Sequence, residues 1–310
     1  MENLVDFDSQ IKFLNHWLPQ AEVRSWQEGE ARIIGIFDPR FQWENQPAIY
    51  FGYWSSQGNF SEQQKIFMLL ELWASNIGIS KIIGPIDFST FFNYRLRLDS
   101  FAEPTFMGEP QNSPIALKLL NELGYNKTLI YESRFYENTP EFQETLKSSL
   151  QSRLIKALEK DYSFYSFKEW QDKLTTQQIY LVTHQIFQDN PGFVPLPVEL
   201  FCDYFAKKIW PLACLEHSWL VLTKEGELVG YALNFIELNN PNQLLIKTAG
   251  VIPAHRKGGL LFLSLLMKAM LGAPQKELVF CLMREGNFPS LLTQKWQTGL
   301  RKYALFKKDF

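Results

Sequence analysis

The chain has 310 residues, 46% of them hydrophobic and 21% charged, with a formal net charge of −2. That is the composition of one or two globular domains, each long enough to bury its own core. Interspersed charge and near-neutrality argue against a nucleic-acid partner and against a polybasic membrane anchor. The three cysteines, Cys202, Cys214 and Cys281, have neither framework nor metal spacing with the scattered histidines 16, 184, 217 and 255, so neither a disulfide scaffold nor a zinc site is expected. Acidic residues near the start and a longest apolar run of about 14 residues, Gly258 to Leu271, speak against a signal peptide or a membrane span. The expected location is the cytoplasm, with no membrane partner.

In chain order, a helical pattern covers Ile11–Leu18, followed by two β-rich runs, Ala31–Asp38 and Ala48–Trp54. Ser61 is placed to cap a helix through Phe67, Leu70 and Trp73 that Gly78 ends. A short strand, Lys81–Pro85, precedes an irregular stretch from Phe88 to Pro110, a helix from Pro114 to Leu123 and a strand from Thr128 to Phe135. Phe88, Phe91, Phe92 and Tyr94 could line an acceptor cleft or pack between halves. A helix from Thr139 to about Lys160, with Leu146, Leu150, Leu154 and Leu158 on one face, reads as the joint. The second half repeats the order: strand Tyr162–Phe167, helices Thr176–Gln188 and Pro197–Lys208, hairpin Ser218–Thr223 and Val229–Glu237, and strand Leu244–Ile252. A helix to Leu271, strand Leu278–Met283, short helix Pro289–Trp296 and strand Lys302–Lys307 complete it. The shared order suggests an α+β (α/β) protein of two related domains, 1–138 and 161–310, joined by 139–160.

Chemistry concentrates between Lys247 and Leu261. A strand ends at Ile252, Pro253 stops its pairing, and Arg256, Lys257, Gly258 and Gly259 lead into the apolar helix. Glycines let the backbone approach a ligand, and the first N–H groups of a helix lack internal partners at the positive end of its dipole. A pyrophosphate suits such a place. A Walker loop would need Lys-Ser/Thr after the second glycine, where Leu260 and Leu261 stand, and a dinucleotide fingerprint would need three spaced glycines after a first strand.

Val251, Ile252 and Pro253 followed by Arg256-x-x-Gly259 resemble the cofactor loop of the GNAT superfamily of N-acetyltransferases, Arg/Gln-x-x-Gly-x-Gly/Ala, with Leu261 in place of the last small residue. The resemblance extends over about Tyr162–Phe310 and includes Asn287 before the last helix. Gly84 to Ser89, Glu103-Pro104, Gly108 to Pro110 and Gly124-Tyr125 resemble tandem GNAT-like proteins, in which the first half would be a degenerate unit without cofactor. The resemblance implies two mixed, mostly antiparallel twisted sheets flanked by helices. It implies acetyl-CoA or another acyl-CoA lying in a splay between the strand ending at Ile252 and Leu278–Met283. Ala249 and Val251 would pair with the pantetheine arm, and amides from Lys257 through Gly258, Gly259 and Leu260 to Leu261 would hold the pyrophosphate. A small-molecule or peptide amine would attack the thioester directly.

The family's usual acid, a Tyr about seven residues after the Asn, is Gln294 here. Tyr303 is the nearest substitute as acid and Glu237 the candidate base. His217 and His255 have suitable ordinary pKa values, though His255 sits close to the phosphates. An ordinary loop with solvated charges, an inactive acyl-CoA binder and a ligand-free interaction scaffold are the alternatives, and a homodimer stays open.

Overall fold

The computed structural model describes residues 7–287 and 297–310. In chain order its elements are α1 (Phe7–Trp17), β1 (Glu22–Glu28), β2 (Ala31–Phe37), β3 (Gln42–Trp43), β4 (Gln46–Pro47), β5 (Ile49–Ser55), α2 (Phe60–Asn76) and β6 (Lys81–Gly84). There follow β7 (Leu96–Arg97), α3 (Pro114–Glu122), β8 (Asn126–Glu137), α4 (Pro140–Leu150), α5 (Arg153–Leu158), β9 (Tyr162–Ser166), α6 (Phe167–Trp170), α7 (Thr176–Phe187) and α8 (Val198–Tyr204). The last are β10 (Trp219–Thr223), β11 (Leu228–Glu237), β12 (Asn240–Val251), α9 (Leu260–Met270), β13 (Glu277–Arg284) and β14 (Gly299–Asp309).

They form two compact units. Unit 1 holds the described residues up to Tyr131, together with Asp189–Pro197 and Arg301–Phe310; unit 2 holds those of Glu132–Gln188 and Val198–Leu300. In unit 1, β1 and β2 form a hairpin from Glu22↔Phe37 to Glu28↔Ala31, β2 pairs β5 antiparallel, and β5 pairs β6 in parallel. Alternation on the buried strands sends Ile33, Ile49 and Phe51 against Ile66, Phe67, Leu70 and Trp73 of α2, with Tyr125 and Phe306 completing the core. Residues 301–310, expected in the second domain, lie in unit 1. The reason is hydrogen bonding: β14 pairs β6 from Phe306↔Gly84 to Asp309↔Lys81 and β7 at Tyr303↔Arg97.

In unit 2, β9, β10, β11 and β12 are successive antiparallel neighbours, and β12 pairs β13 in parallel. A parallel pair needs a crossover, and α9 supplies it. Eight of its eleven residues are buried, which explains why its sequence is apolar nearly all round.

Three local expectations change. Asn59, not Ser61, caps α2: its side chain accepts the Glu62 N–H at 3.0 Å, and Glu62 accepts the Asn59 N–H at 3.1 Å. The long joining helix is two helices in unit 2, restarted where Ser152 accepts the Ile155 N–H. Strand β1 has no counterpart in the sequence reading. The expected helix Pro289–Trp296 lies outside the described residues.

Candidate functional site

In unit 2 the ladder between β12 and β13 runs only from Gln243↔Glu277 to Ile246↔Phe280. Among the described residues it extends no further, although β12 continues to Val251 and β13 to Arg284. Each strand has its own cause for leaving. On β12 the register against β11 passes from Leu233↔Thr248 to Asn234↔Ile246, so Lys247 is the extra residue of a bulge, and bulges bend a strand. On β13, Leu282 adopts φ +57°, and its N–H goes to Ser133 Oγ at 2.9 Å. A left-handed leucine is rare and re-aims the backbone. Ala249 and Val251 lie past the fork, held to β11 as Ala232↔Ala249 and Gly230↔Val251.

The loop begins where the fork is open. Ile252 donates to the Val229 carbonyl at 2.9 Å, Pro253–His255 make one tight turn, and Lys257–Gly259 make another. Gly258 (φ +63°) and Gly259 (φ +86°) are consecutive left-handed residues. Gly259 is the N-cap of α9 and offers no side chain to the first helical N–H groups. A Cβ on Gly258 would meet nothing within 4 Å, so the space in front of the turn is open. Arg256 is a brace: Nε donates to the Val251 carbonyl at 3.3 Å and Nη2 to that of Ile186 at 3.5 Å. His255 Nδ1 is 3.0 Å from the Tyr162 hydroxyl, which occupies that nitrogen. The Leu261 side chain is 0% exposed; it points into the core, so the departure from the small-residue motif adds bulk to the interior. Asn287 follows β13, its N–H bonded to the Arg284 carbonyl at 3.2 Å.

Two glycines that the sequence reading passed over help to fix this geometry. A Cβ on Gly250 would lie 2.3 Å from Ile186 Cγ2, and one on Gly230 would lie 2.6 Å from the Gly250 carbonyl oxygen. The end of α7 therefore sits directly on β12, where its Ile186 carbonyl can receive Arg256. Glycine inside a strand is the signal that could have found them.

The residues singled out for proton transfer have their own surroundings. Glu237 is buried at the hairpin end of β11, where it pairs with Asn240 and accepts the Asn239 N–H at 3.2 Å. Seven strand steps, about 23 Å, separate it from Gly230 beside the loop, and the zipped part of the β12–β13 ladder lies between it and the fork. Tyr303 is wholly buried in unit 1 and donates its hydroxyl to Glu109. Glu109 also accepts from Arg301 at 2.8 Å and from the Phe106 N–H at 3.2 Å. His217 is half-buried, and burial lowers its pKa, against a hydrogen bond to the Ala269 backbone of α9. Gln294 lies outside the described residues. Among the described residues no group of three or more His, Cys, Asp or Glu could hold a metal ion, and no helix is long and apolar enough to cross a membrane.

No family model matches the sequence, and no curated protein does. Solved structures do resemble it. A conserved protein of unknown function from Enterococcus faecalis V583, described as a probable N-acyltransferase, is 9% identical over 99% of this chain and 70% of its own, with a TM-score of 0.52. A GCN5-related glucosamine N-acetyltransferase region of a fungal multi-domain GH3 β-N-acetylglucosaminidase is 9% identical over 96% of this chain and 34% of its own, with a TM-score of 0.50. A GCN5-related N-acetyltransferase from Sphaerobacter thermophilus is 12% identical over 90% and 76%, with a TM-score of 0.48. The chain has the GNAT fold.

Unit 1 carries the same run of strand pairings as the GNAT-like unit 2: antiparallel, antiparallel, helix, parallel. Its fork is filled by its own chain. Past Ile49↔Ile82 and Tyr50↔Ile83, the Ile86 N–H donates to the Phe51 carbonyl at 2.7 Å and the Asp87 carboxylate accepts the Tyr53 N–H. At the start of α2 the Asn59–Glu62 capping box satisfies the N–H groups of Asn59 and Glu62, and the Glu62 carboxylate lies 2.3 Å from where a Cβ on Gly58 would be. Beside the filled fork lies a cleft of about 400 Å³, lined in part by Tyr53, Trp54, Asp87, Tyr94 and Glu109.

Proposed function

We infer that this chain is an N-acyltransferase of the GNAT kind that moves an acyl group, acetyl in the first instance, from acyl-CoA to a primary amine. Unit 2 is the acyl-CoA unit and unit 1 a second GNAT-like unit that has lost the cofactor. The observation that carries this reading is the conjunction in unit 2 of a strand fork with an uncapped helix start behind two left-handed glycines. An extended arm can add to a strand edge as a further strand does, which gives Ala249 and Val251 the pantetheine. The Gly259 N–H closes the turn on the Arg256 carbonyl at 2.7 Å, and the other amides from Lys257 to Leu261 meet the pyrophosphate; Arg256 holds the loop to β12 and α7, and Asn287 stands at the open end of β13. Acyl-CoA supplies an activated acyl carbon: the amine nitrogen forms the new C–N bond, the C–S bond breaks, and the proton lost by nitrogen leaves with the thiol. Tyr303 and Glu237 take no part in this reading, because the Tyr303 hydroxyl is buried on Glu109 and Glu237 lies behind the zipped ladder.

Those two placements favour a second reading, a catalytically inactive acyl-CoA binder. Two measurements separate the readings. Acetyl-CoA at about 100 times its dissociation constant adds roughly 2.7 kcal/mol of stability, a shift of several degrees in melting temperature. Thiol release with a panel of primary amines then distinguishes enzyme from binder. No shift with acetyl-CoA, CoA or a longer acyl-CoA would sink both.

A further inference from the structure

The cleft of unit 1 holds a charge without a counter-charge. Asp87 follows the filled fork, accepts the Tyr53 N–H and a hydrogen bond from the Asn93 side chain, and keeps part of its surface in the cleft. Among the described residues no Lys, Arg or His comes within ion-pair distance of it. The other charged groups of the cleft are already engaged. Glu109 is met by Arg301 at 2.8 Å. Arg95 is stacked between two rings, 3.6 Å from the centre of Tyr94 and 4.2 Å from that of Tyr131. A carboxylate withdrawn from water and given only neutral donors is costly to ionise. Beside it the Tyr53 hydroxyl is buried with no hydrogen-bond partner, although buried polar groups are nearly always partnered. Tyr53 is also held at φ +48°, a conformation that costs a non-glycine residue energy.

We propose that unit 1 binds a small organic ammonium ion, with the charged nitrogen on Asp87, a polar atom on the Tyr53 hydroxyl and the carbon body against Trp54 and Tyr94. Each part answers a need seen in the cleft. The ammonium supplies the missing cation and can donate to Asp87. Aromatic walls favour a cation over a neutral group. Leu96, Pro110 and Ala116 add apolar lining, which suits an aryl or alkyl body. A volume of about 400 Å³ lies in the range of small-molecule sites. An anion is disfavoured, because Asp87 and Glu109 both line the cavity and the Arg95 guanidinium is covered by rings. The site belongs to unit 1 alone and stands whether or not unit 2 binds acyl-CoA.

The test uses the full chain without acyl-CoA. Phenethylamine and tryptamine are titrated calorimetrically, each against its neutral counterpart, 2-phenylethanol and tryptophol. At least one amine should bind about tenfold or more tightly than its alcohol, a difference of about 1.4 kcal/mol. Asp87→Asn should erase that preference, and Tyr53→Phe should weaken binding a few-fold while keeping it. Gly259→Asp, in unit 2, should leave amine binding as it was. Equal binding of amine and alcohol, or no binding by either amine up to roughly 10 mM, overturns the proposal, and this wild-type comparison needs no variant to fold.

Discussion

The two units use one strand plan and end it differently. In unit 2 the parallel pair separates after Ile246 and Phe280, and the following helix starts on a glycine with no capping side chain. In unit 1 the parallel pair is followed at once by Ile86 and Asp87, which take up the free groups of β5, and the following helix starts on a closed capping box. In unit 1 the chain's own groups meet the strand and helix ends: the Ile86 N–H, the Asp87 carboxylate and the Asn59–Glu62 box; in unit 2 no side chain caps α9. On the proposed function, a few residues at the strand and helix ends set which unit can take acyl-CoA.

Moving one unit toward the other tests this. The largest effect expected is from Gly259→Asp, which gives α9 the carboxylate that α2 already has. A negative side chain on a strained left-handed residue at the proposed pyrophosphate site should weaken acetyl-CoA binding by roughly a hundredfold or more and abolish the thermal shift. Normal binding would put the cofactor elsewhere. Next is Gly250→Ala, which forces a methyl against Ile186 and lifts α7 from β12. Overpacking of this kind costs about 1–3 kcal/mol, so the melting temperature should fall by several degrees, and the loosened Arg256 brace should raise the acetyl-CoA dissociation constant. An unchanged melting temperature would show that the contact relaxes freely.

Asp87 gives a pH-dependent test of the filled fork. Burial raises its pKa from 3.8 to about 6, against the lowering hydrogen bonds of Tyr53 and Asn93. Between those values the folded chain keeps a proton that the unfolded chain has lost, so stability falls as pH rises from about 4 to about 6 and is level above. Asp87→Asn should remove that slope from melting temperatures taken across the window; an identical slope would mean that Asp87 titrates normally. The smallest effect is from Asn59→Ala, which opens the α2 cap at a cost of about 1 kcal/mol. It should leave acetyl-CoA binding unchanged, since the Glu62 carboxylate and the filled fork remain.

The glycine turn ahead of α9 was legible because its signal is local: Arg256, Gly258, Gly259 and the apolar helix lie within one run of sequence. The element order was legible for the same reason. The fork was expected only through the family resemblance, since nothing near Lys247 announces a bulge and nothing about Leu282 announces a left-handed backbone. Strand β1 escaped because its residues are half-buried or exposed and Val23 and Trp26 alone break its polarity. Tyr303 looked available on an alternating strand, but its surroundings are set by pairing with β7 and by Glu109, nearly two hundred positions away. Asn59 was missed by two residues because Ser61 offers the same chemistry in the first turn.

One consequence concerns the order in which the protein can be made. Unit 1 opens the chain, yet its strand β6 is bordered by β14, more than two hundred residues later. During synthesis the described residues up to Tyr131 emerge with β6 unpaired on that side, and a bare strand edge invites association with other chains. The residues of unit 2 end at Leu300, so all of them are made while β6 still lacks this neighbour. The part of the protein that begins first is the part that closes last.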